Sequence, residues 1–504
     1  MSNDPKGVDS EIVLVLDFGS QYAQLLAQRV RDNQIYCEIL PGSTSSKEIA
    51  ARAPIGLILC GGADAPQIDP EIYNLGVPVL GVCYGPQVKK SGAKTVSVEA
   101  TLTADGKANP LFEGVAEKSQ VWFNEAVETA ELPEDFVALA STPNCPSAAV
   151  ACLSRPFFGL QFYPEVAYST EGDKIITNFL TKICKSSGSW TTKKFVETSI
   201  AKIREQVGDG RVICGLSGGV DSAVTAALVA RAIGSQLTCI FVDTGLMRKN
   251  EIQSVAEVFR ANFDAKLVVV DAEARFLIPL AGVTDPQIKR KIIGKTFIDV
   301  FADEAKKVDG AKFLAQGTIY PDIIESGVNG KGTVKFHHNV GGLPEDLEFE
   351  LVEPLRDLFK GDVRRVGLEL GLPEDIVWRH PFPGPGLGVR CLGEVTKRSL
   401  DVLREADAIV VEEITKAGLY RETSQVFAVL LPVKSVGVKN GERTYDSAVA
   451  VRCISTVDFM SAEWVRLPYE LLDKISSRII AEVDGVNRVV YDISPKPPAT
   501  IEWE

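Results

Sequence analysis

The run Ser217-Gly218-Gly219-Val220-Asp221-Ser222 combines the groups needed to hold an anion at a turn of the chain. Glycines adopt backbone conformations closed to other residues and let N–H groups come close to a ligand, and a helix starting just afterwards adds the positive end of its dipole. Ser217 and Ser222 bring hydroxyl donors. Asp221 is out of place against bare phosphate, but it makes sense as a helix cap or as a carboxylate orienting Mg2+. The run lacks the Gly-Lys-Ser/Thr ending of a Walker A loop, so a different mode of polyphosphate binding is implied. A second constellation is Gly81-Val82-Cys83-Tyr84-Gly85, in which glycines on either side of a cysteine permit the sharp turn that exposes a nucleophile.

Both constellations follow short apolar runs. Val212-Ile213-Cys214-Gly215-Leu216 reads as a strand, with a helical pattern over 223–233 and further strands over 237–243 and 265–270. In the first part of the chain, strands are predicted at 12–16, 55–60 and 77–82, with a helix running through Val30. Alternation of this kind implies a mostly parallel sheet with helices on both faces. The polar stretch 185–192 is a linker candidate. Pro381, Pro383 and Pro385 exclude helix and central strand from 380–386, which marks a rigid crossing into the last segment. There, helical patterns over 399–417 and 468–483 and strands near 426–433, 448–454 and 488–492 do not alternate simply. The expected fold class is therefore α/β: two doubly wound parallel-sheet domains, 1–187 and 193–385, and a smaller α+β C-terminal domain, 386–504.

A net charge of −13 over 504 residues argues against nucleic acid as a partner, because phosphate-backbone binding needs clustered Lys and Arg. The ten cysteines are scattered without paired metal-type spacing, which points to a reducing cytoplasm. The polar start has no signal-peptide core, and no apolar run reaches the ~20 residues that span a bilayer. A soluble cytoplasmic protein without a membrane partner is expected.

In its strand-turn-helix setting, the Ser-Gly-Gly-x-Asp-Ser run resembles the ATP pyrophosphatase family. That family cleaves ATP between the α and β phosphates, holds pyrophosphate in this loop and transfers AMP to a carbonyl oxygen. Further motifs narrow the resemblance to GMP synthetases, from about residue 212 to the last. They are Phe241-Val242-Asp243-Thr244-Gly245, Lys289-Arg290-Lys291-Ile292-Ile293-Gly294, Gln316-Gly317-Thr318-Ile319-Tyr320-Pro321-Asp322, His337-His338-Asn339-Val340-Gly341-Gly342, the Arg379–Gly386 crossing and the closing Lys496-Pro497-Pro498-Ala499-Thr500-Ile501-Glu502-Trp503-Glu504.

The resemblance implies ATP binding by Ser217, Gly218, Gly219, Val220, Asp221, Ser222, Asp243 and Gly317, with Mg2+ at Asp221. It implies XMP binding by Arg290, Arg379, Gln425, Lys496 and Glu502, adenylation chemistry around Asp221, Lys335 and His337, and a homodimer formed through the C-terminal segment. Physically, Asp243 at a strand end suits a ribose or amino donor, and Arg290 and Lys496 suit a 5′-phosphate. Segment 323–342 is expected to close over the reactive adenylate. The chain departs from the family at Phe336 and Pro495, where serine is usual. These departures leave open a specialised paralogue with a different purine acceptor or another nucleophile. A nucleotide-binding pseudoenzyme that regulates a partner is a third reading.

The first segment resembles a class I glutamine amidotransferase domain at Asp17-Phe18-Gly19-Ser20-Gln21-Tyr22, at Cys60-Gly61-Gly62, at the Cys83 turn and at Gln161-Phe162-Tyr163-Pro164-Glu165-Val166. In that family a histidine, in His-Pro-Glu, activates the cysteine. Here Tyr163 stands in its place, and the three histidines of the chain are at 337, 338 and 380. A tyrosine of pKa ~10 cannot deprotonate a thiol of pKa ~8.5 near neutrality. Asn124-Glu125-Ala126-Val127 replaces the family's Ser-His-Gly-Asp, and 86–92 is short for the helix and hairpin that follow the nucleophile. Cys83 and Glu165 are thus expected to be vestigial, with nitrogen arriving as free ammonia or from a separate glutaminase.

Overall fold

The structure, a computed structural model, describes residues 11–61, 69–84, 95–124, 132–326, 349–439, 441–456, 459 and 461–504. Lys335, His337 and most of the expected closing segment 323–342 lie outside the described residues, as do 85–94 beyond the cysteine turn and 125–131. The chain divides into two compact units, Met1–Phe195 and Val196–Glu504.

In the first unit Ile12–Phe18 lies between Tyr36–Pro41 and Gly56–Gly61, and the sheet continues through Val79–Val82 to Phe157–Leu160, all parallel. Residues 12–16 and 57–60 are buried throughout, so both faces of these strands are covered and their apolar runs are continuous rather than alternating. Past Phe157–Leu160 the same nine-stranded sheet turns antiparallel, through Cys145–Cys152, Phe136–Thr142, Thr95–Leu102 and Lys118–Asn124. The stretch read as a connector is pinned to this unit. Ser186 Oγ and the Ser187 N–H both donate to the Glu11 carboxylate, at 2.5 and 2.8 Å, and the Arg31 guanidinium lies 4.7 Å from the Trp190 ring.

The second unit holds a five-stranded parallel sheet in the order Lys266–Asp271, Leu237–Asp243, Arg211–Leu216, Ala311–Ala315, Glu350–Val352. It also holds a four-stranded sheet built on the long hairpin Gln425–Lys439 and Glu442–Ser455, with Val486–Tyr491 parallel to the second arm. The helices Lys397–Lys416 and Tyr469–Glu482 cover that sheet. One buried apolar cluster runs through both sheets, from Ile213, Ile240 and Phe276 to Leu403, Val449 and Ile475. No helix among the described residues is long and apolar enough to cross a membrane.

Candidate active site

Strand Arg211–Leu216 delivers the chain to Ser217, and helix Val220–Ile233 leaves it with Gly219 as N-cap. Gly218 has φ of 78°, a left-handed conformation that favours glycine. The hydroxyls of Ser217 and Ser222 are 3.0 Å apart, Ser222 Oγ donates to the Gly219 carbonyl at 3.0 Å, and the Gly219 N–H donates to Ser217 Oγ at 3.3 Å. Asp221 sits on the first helical turn, where Lys360 Nζ donates to both of its oxygens, at 2.8 and 2.6 Å. Gly317 packs on the same residue, since a Cβ there would come within 3.2 Å of the Asp221 carbonyl and Cβ. Arg379 joins the loop from the far side, donating to the Gly218 carbonyl at 3.0 Å and to Glu251 at 3.1 Å. Asp243 ends its strand opposite Asp271 and accepts the Gly245 N–H at 2.9 Å. Burial raises its carboxyl above the usual range, and the charges of Asp271 and Glu273 add to this, while the Gly245 N–H opposes it.

A second cluster forms where the closing residues return to the C-terminal sheet. Gln425 Nε2 donates to Glu502 Oε1 and to the Pro381 carbonyl, both at 3.1 Å. Arg390 grips the two Glu502 oxygens at 3.0 and 2.8 Å, its guanidinium 4.0 Å from the Phe427 ring and 5.2 Å from that of Phe382. Lys289, fully buried, meets the Glu504 carboxylate at 2.6 Å, and Arg290 donates to the Glu504 backbone carbonyl. Lys496 Nζ donates to the Phe459 carbonyl at 2.5 Å. Of the five residues expected around XMP, a hydrogen bond joins Gln425 to Glu502; Arg379 is engaged at the phosphate loop, Arg290 at the last residue and Lys496 at Phe459.

In the first unit Cys83 has φ of 48°, the strained conformation of a nucleophile turn. Gly81 and Gly61 are required there, because a Cβ would lie 1.8 Å from the Tyr84 carbonyl oxygen at one and 2.1 Å from that of Cys83 at the other. The Tyr163 hydroxyl is hydrogen-bonded to the Cys83 thiol and accepts from Asn124 Nδ2 at 3.5 Å. Burial pushes the thiol far above its ordinary value, and the Tyr163 hydrogen bond only partly opposes this. Glu165 is fully buried, neither carboxyl oxygen has a partner among the described residues, and burial lifts its pKa to about 8.

Three stretches of the chain match family models: glutamine amidotransferase class-I over 14–183, NAD synthase over 191–278 and the GMP synthase C-terminal domain over 412–503. A glutamine-hydrolyzing GMP synthase of Acetivibrio thermocellus is 53% identical over 511 residues, covering 99% of this chain and 100% of that protein. The chain belongs to the GMP synthase family. Proteins with the same name from Fusobacterium nucleatum, 52% identical over 98% of this chain and 99% of the relative, and from Clostridium botulinum strain Kyoto, 50% identical over 99% and 100%, agree along their length. Within this GMP synthase-type site, sequence reasoning missed Lys360 and Arg390. A lysine in the first turn of helix Lys360–Glu369 opposes the helix dipole, which signals a nearby carboxylate or anion. Arg390 stands in the apolar run Leu387-Gly388-Val389-Arg390-Cys391-Leu392, where a charge signals a buried ion pair.

Proposed function

We propose that this chain makes GMP from XMP, using ATP to adenylate the xanthine O2 and free or externally supplied ammonia to displace AMP. The O2 lone pair attacks the α-phosphorus, the bond to the bridging oxygen breaks and pyrophosphate leaves. Ammonia then forms the C2–N bond as the C2–O bond breaks, AMP departs and the surplus proton goes to water. Adenylation is needed because the ring oxygen is otherwise a hydroxide-like leaving group.

The observation that carries this reading is the phosphate loop with its N–H-bearing helix start and the Lys360 ammonium on Asp221. Donors and a cation arranged in advance stabilise charge as it develops on departing pyrophosphate. Ser217, Ser222 and the loop N–H groups would hold that anion, Asp243 and Gly317 would line the ATP site, and Arg379 would tie the loop to the purine side. Gln425 and Glu502 would hold the purine, with Arg290 and Lys496 reserved for its phosphate. Lys335 and His337 are retained for adenylation on the resemblance alone. Mg2+ would be held at Asp221, a part-exposed carboxylate on the first helical turn after the loop, in competition with Lys360, since Mg2+ is commonly held by one or two carboxylates plus substrate phosphates. When bound, the ion would spread the phosphate charge.

Ammonia dependence rests on the first unit, where Tyr163 stands in the place of the family's histidine and contacts the buried Cys83 thiol, and no base is positioned to ionise that thiol among the described residues. The test is AMP formation with ATP, Mg2+ and XMP, comparing glutamine with ammonium chloride. Turnover with ammonium and none with glutamine is expected, and equal rates would overturn the ammonia claim. No XMP-dependent AMP formation with either would overturn the activity. A homodimer and a cytoplasmic setting complete the proposal. Support for the dimer comes from the exposed Val436, Val438 and Tyr445, which leave an apolar face on the C-terminal hairpin.

A further inference from the structure

Arg390 is wholly buried in an apolar run, and it is paired there with Glu502. Its guanidinium lies near the rings of both Phe427 and Phe382, and two of its nitrogens meet the two oxygens of Glu502. The same carboxylate accepts from Gln425, whose amide is itself fixed on the Pro381 carbonyl. Two separate parts of the chain thus converge on a carboxylate of the closing residues: Arg390, just past the proline-rich crossing, and Gln425, at the start of the long strand. Stability alone is a poor reason for such an arrangement, because a buried ion pair is often matched or surpassed by well-packed apolar side chains. Orientation is a better one. A planar fork on a planar carboxylate fixes its rotation as well as its position, which a lysine could not do.

We propose that Arg390 is the positioning residue of the purine site, clamping Glu502 so that its carboxylate is presented in one orientation to the ring N–H donors of the acceptor purine. A xanthine ring carries N–H groups at N1 and N3, and an ionised carboxylate is an acceptor only, so it pairs with such a donor and rejects a ring that presents a bare nitrogen there. This inference rests on the proposed assignment of Glu502 to XMP.

Steady-state kinetics with ammonium as the nitrogen source test it on the full chain, comparing Arg390→Lys, Arg390→Met, Glu502→Gln and the double variant Arg390→Met/Glu502→Gln. In Arg390→Met the KM for XMP is expected to rise about tenfold or more, and the KM for ATP to stay within about twofold. Arg390→Lys keeps the charge without the fork, and an intermediate XMP KM is expected. If Arg390 acts through Glu502, the double variant has the XMP KM of Glu502→Gln alone, not the product of the two effects. An XMP KM unchanged in an active Arg390 variant overturns the proposal, as do equal rises for both substrates or multiplying effects in the double variant. If Arg390→Met does not fold, the split between the two KM values in Arg390→Lys decides. Failure of the unsubstituted chain to release pyrophosphate with XMP would instead overturn the purine assignment beneath it.

Discussion

Lys360 and Asp221 form the tightest charged contact at the phosphate loop, 2.6 Å at its shorter arm. If this ammonium meets the charge that pyrophosphate gains on leaving, Lys360→Met should lower kcat for pyrophosphate release about a hundredfold, the usual effect of removing one preorganised donor, and change the XMP KM little. Initial rates with a coupled pyrophosphate assay check this. Cys83 provides a second expectation. Its thiol is buried and held far above its ordinary pKa, so iodoacetamide at neutral pH should leave it unmodified, as peptide mapping would read. The glycine-rich loop and the cysteine turn were legible in the sequence because each chemistry is packed into a few consecutive residues. Lys360 and Arg390 were not, because their partners Asp221 and Glu502 lie 139 and 112 positions away, and a lone cation signals that a partner exists without saying which residue it is.

Parallel strands in both units were legible for a related reason. Burial on two faces makes strands such as Ile12–Phe18 and Leu237–Asp243 continuously apolar over 12–16 and 239–242, which stands out against any helical period. The antiparallel half of the first sheet was not, since Thr95–Leu102 and Lys118–Asn124 are partly exposed and carry polar residues at 95, 97, 99 and 101 and at 118–120 and 124, which leaves no apolar run of that length. The turn after Phe157–Leu160 carries Glu165, whose effect on stability has a defined sign. Its carboxyl is raised from 4.5 to about 8, so between those values the folded state keeps a proton that the unfolded chain has lost. The contribution of this group is complete below the unfolded value and is lost as pH rises through the folded one, at most about 1.4 kcal/mol per pH unit. Chemical denaturation at pH 5 and pH 8 should show the first unit weaker at the higher pH. Glu165→Gln should flatten that difference and leave ammonium-dependent activity within about twofold.

At the scale of the whole molecule, two compact units imply two thermal transitions, with ligands acting on one of them. ATP with Mg2+ and XMP should raise the transition of the second unit and leave the first in place, because stabilisation follows binding to the folded state, about 2.7 kcal/mol at a hundredfold excess over Kd. Differential scanning calorimetry checks this, and a shift of both transitions together would contradict it. The apolar hairpin face carries a further expectation. Tyr445 is 68% exposed, and Tyr445→Glu should convert a dimer to a monomer in sedimentation velocity.

The buried cluster that passes through both sheets of the second unit limits what can be exchanged between relatives. The proline-rich stretch invites use as a splice point, since it contributes neither helix nor strand before Gly386. A chimaera joined there would set Ile293 and Phe301 from one parent against Leu403 and Val449 from another, and mismatched volumes would leave voids or clashes in the middle of the protein. Recombination libraries should therefore inherit residues 196–504 as one block.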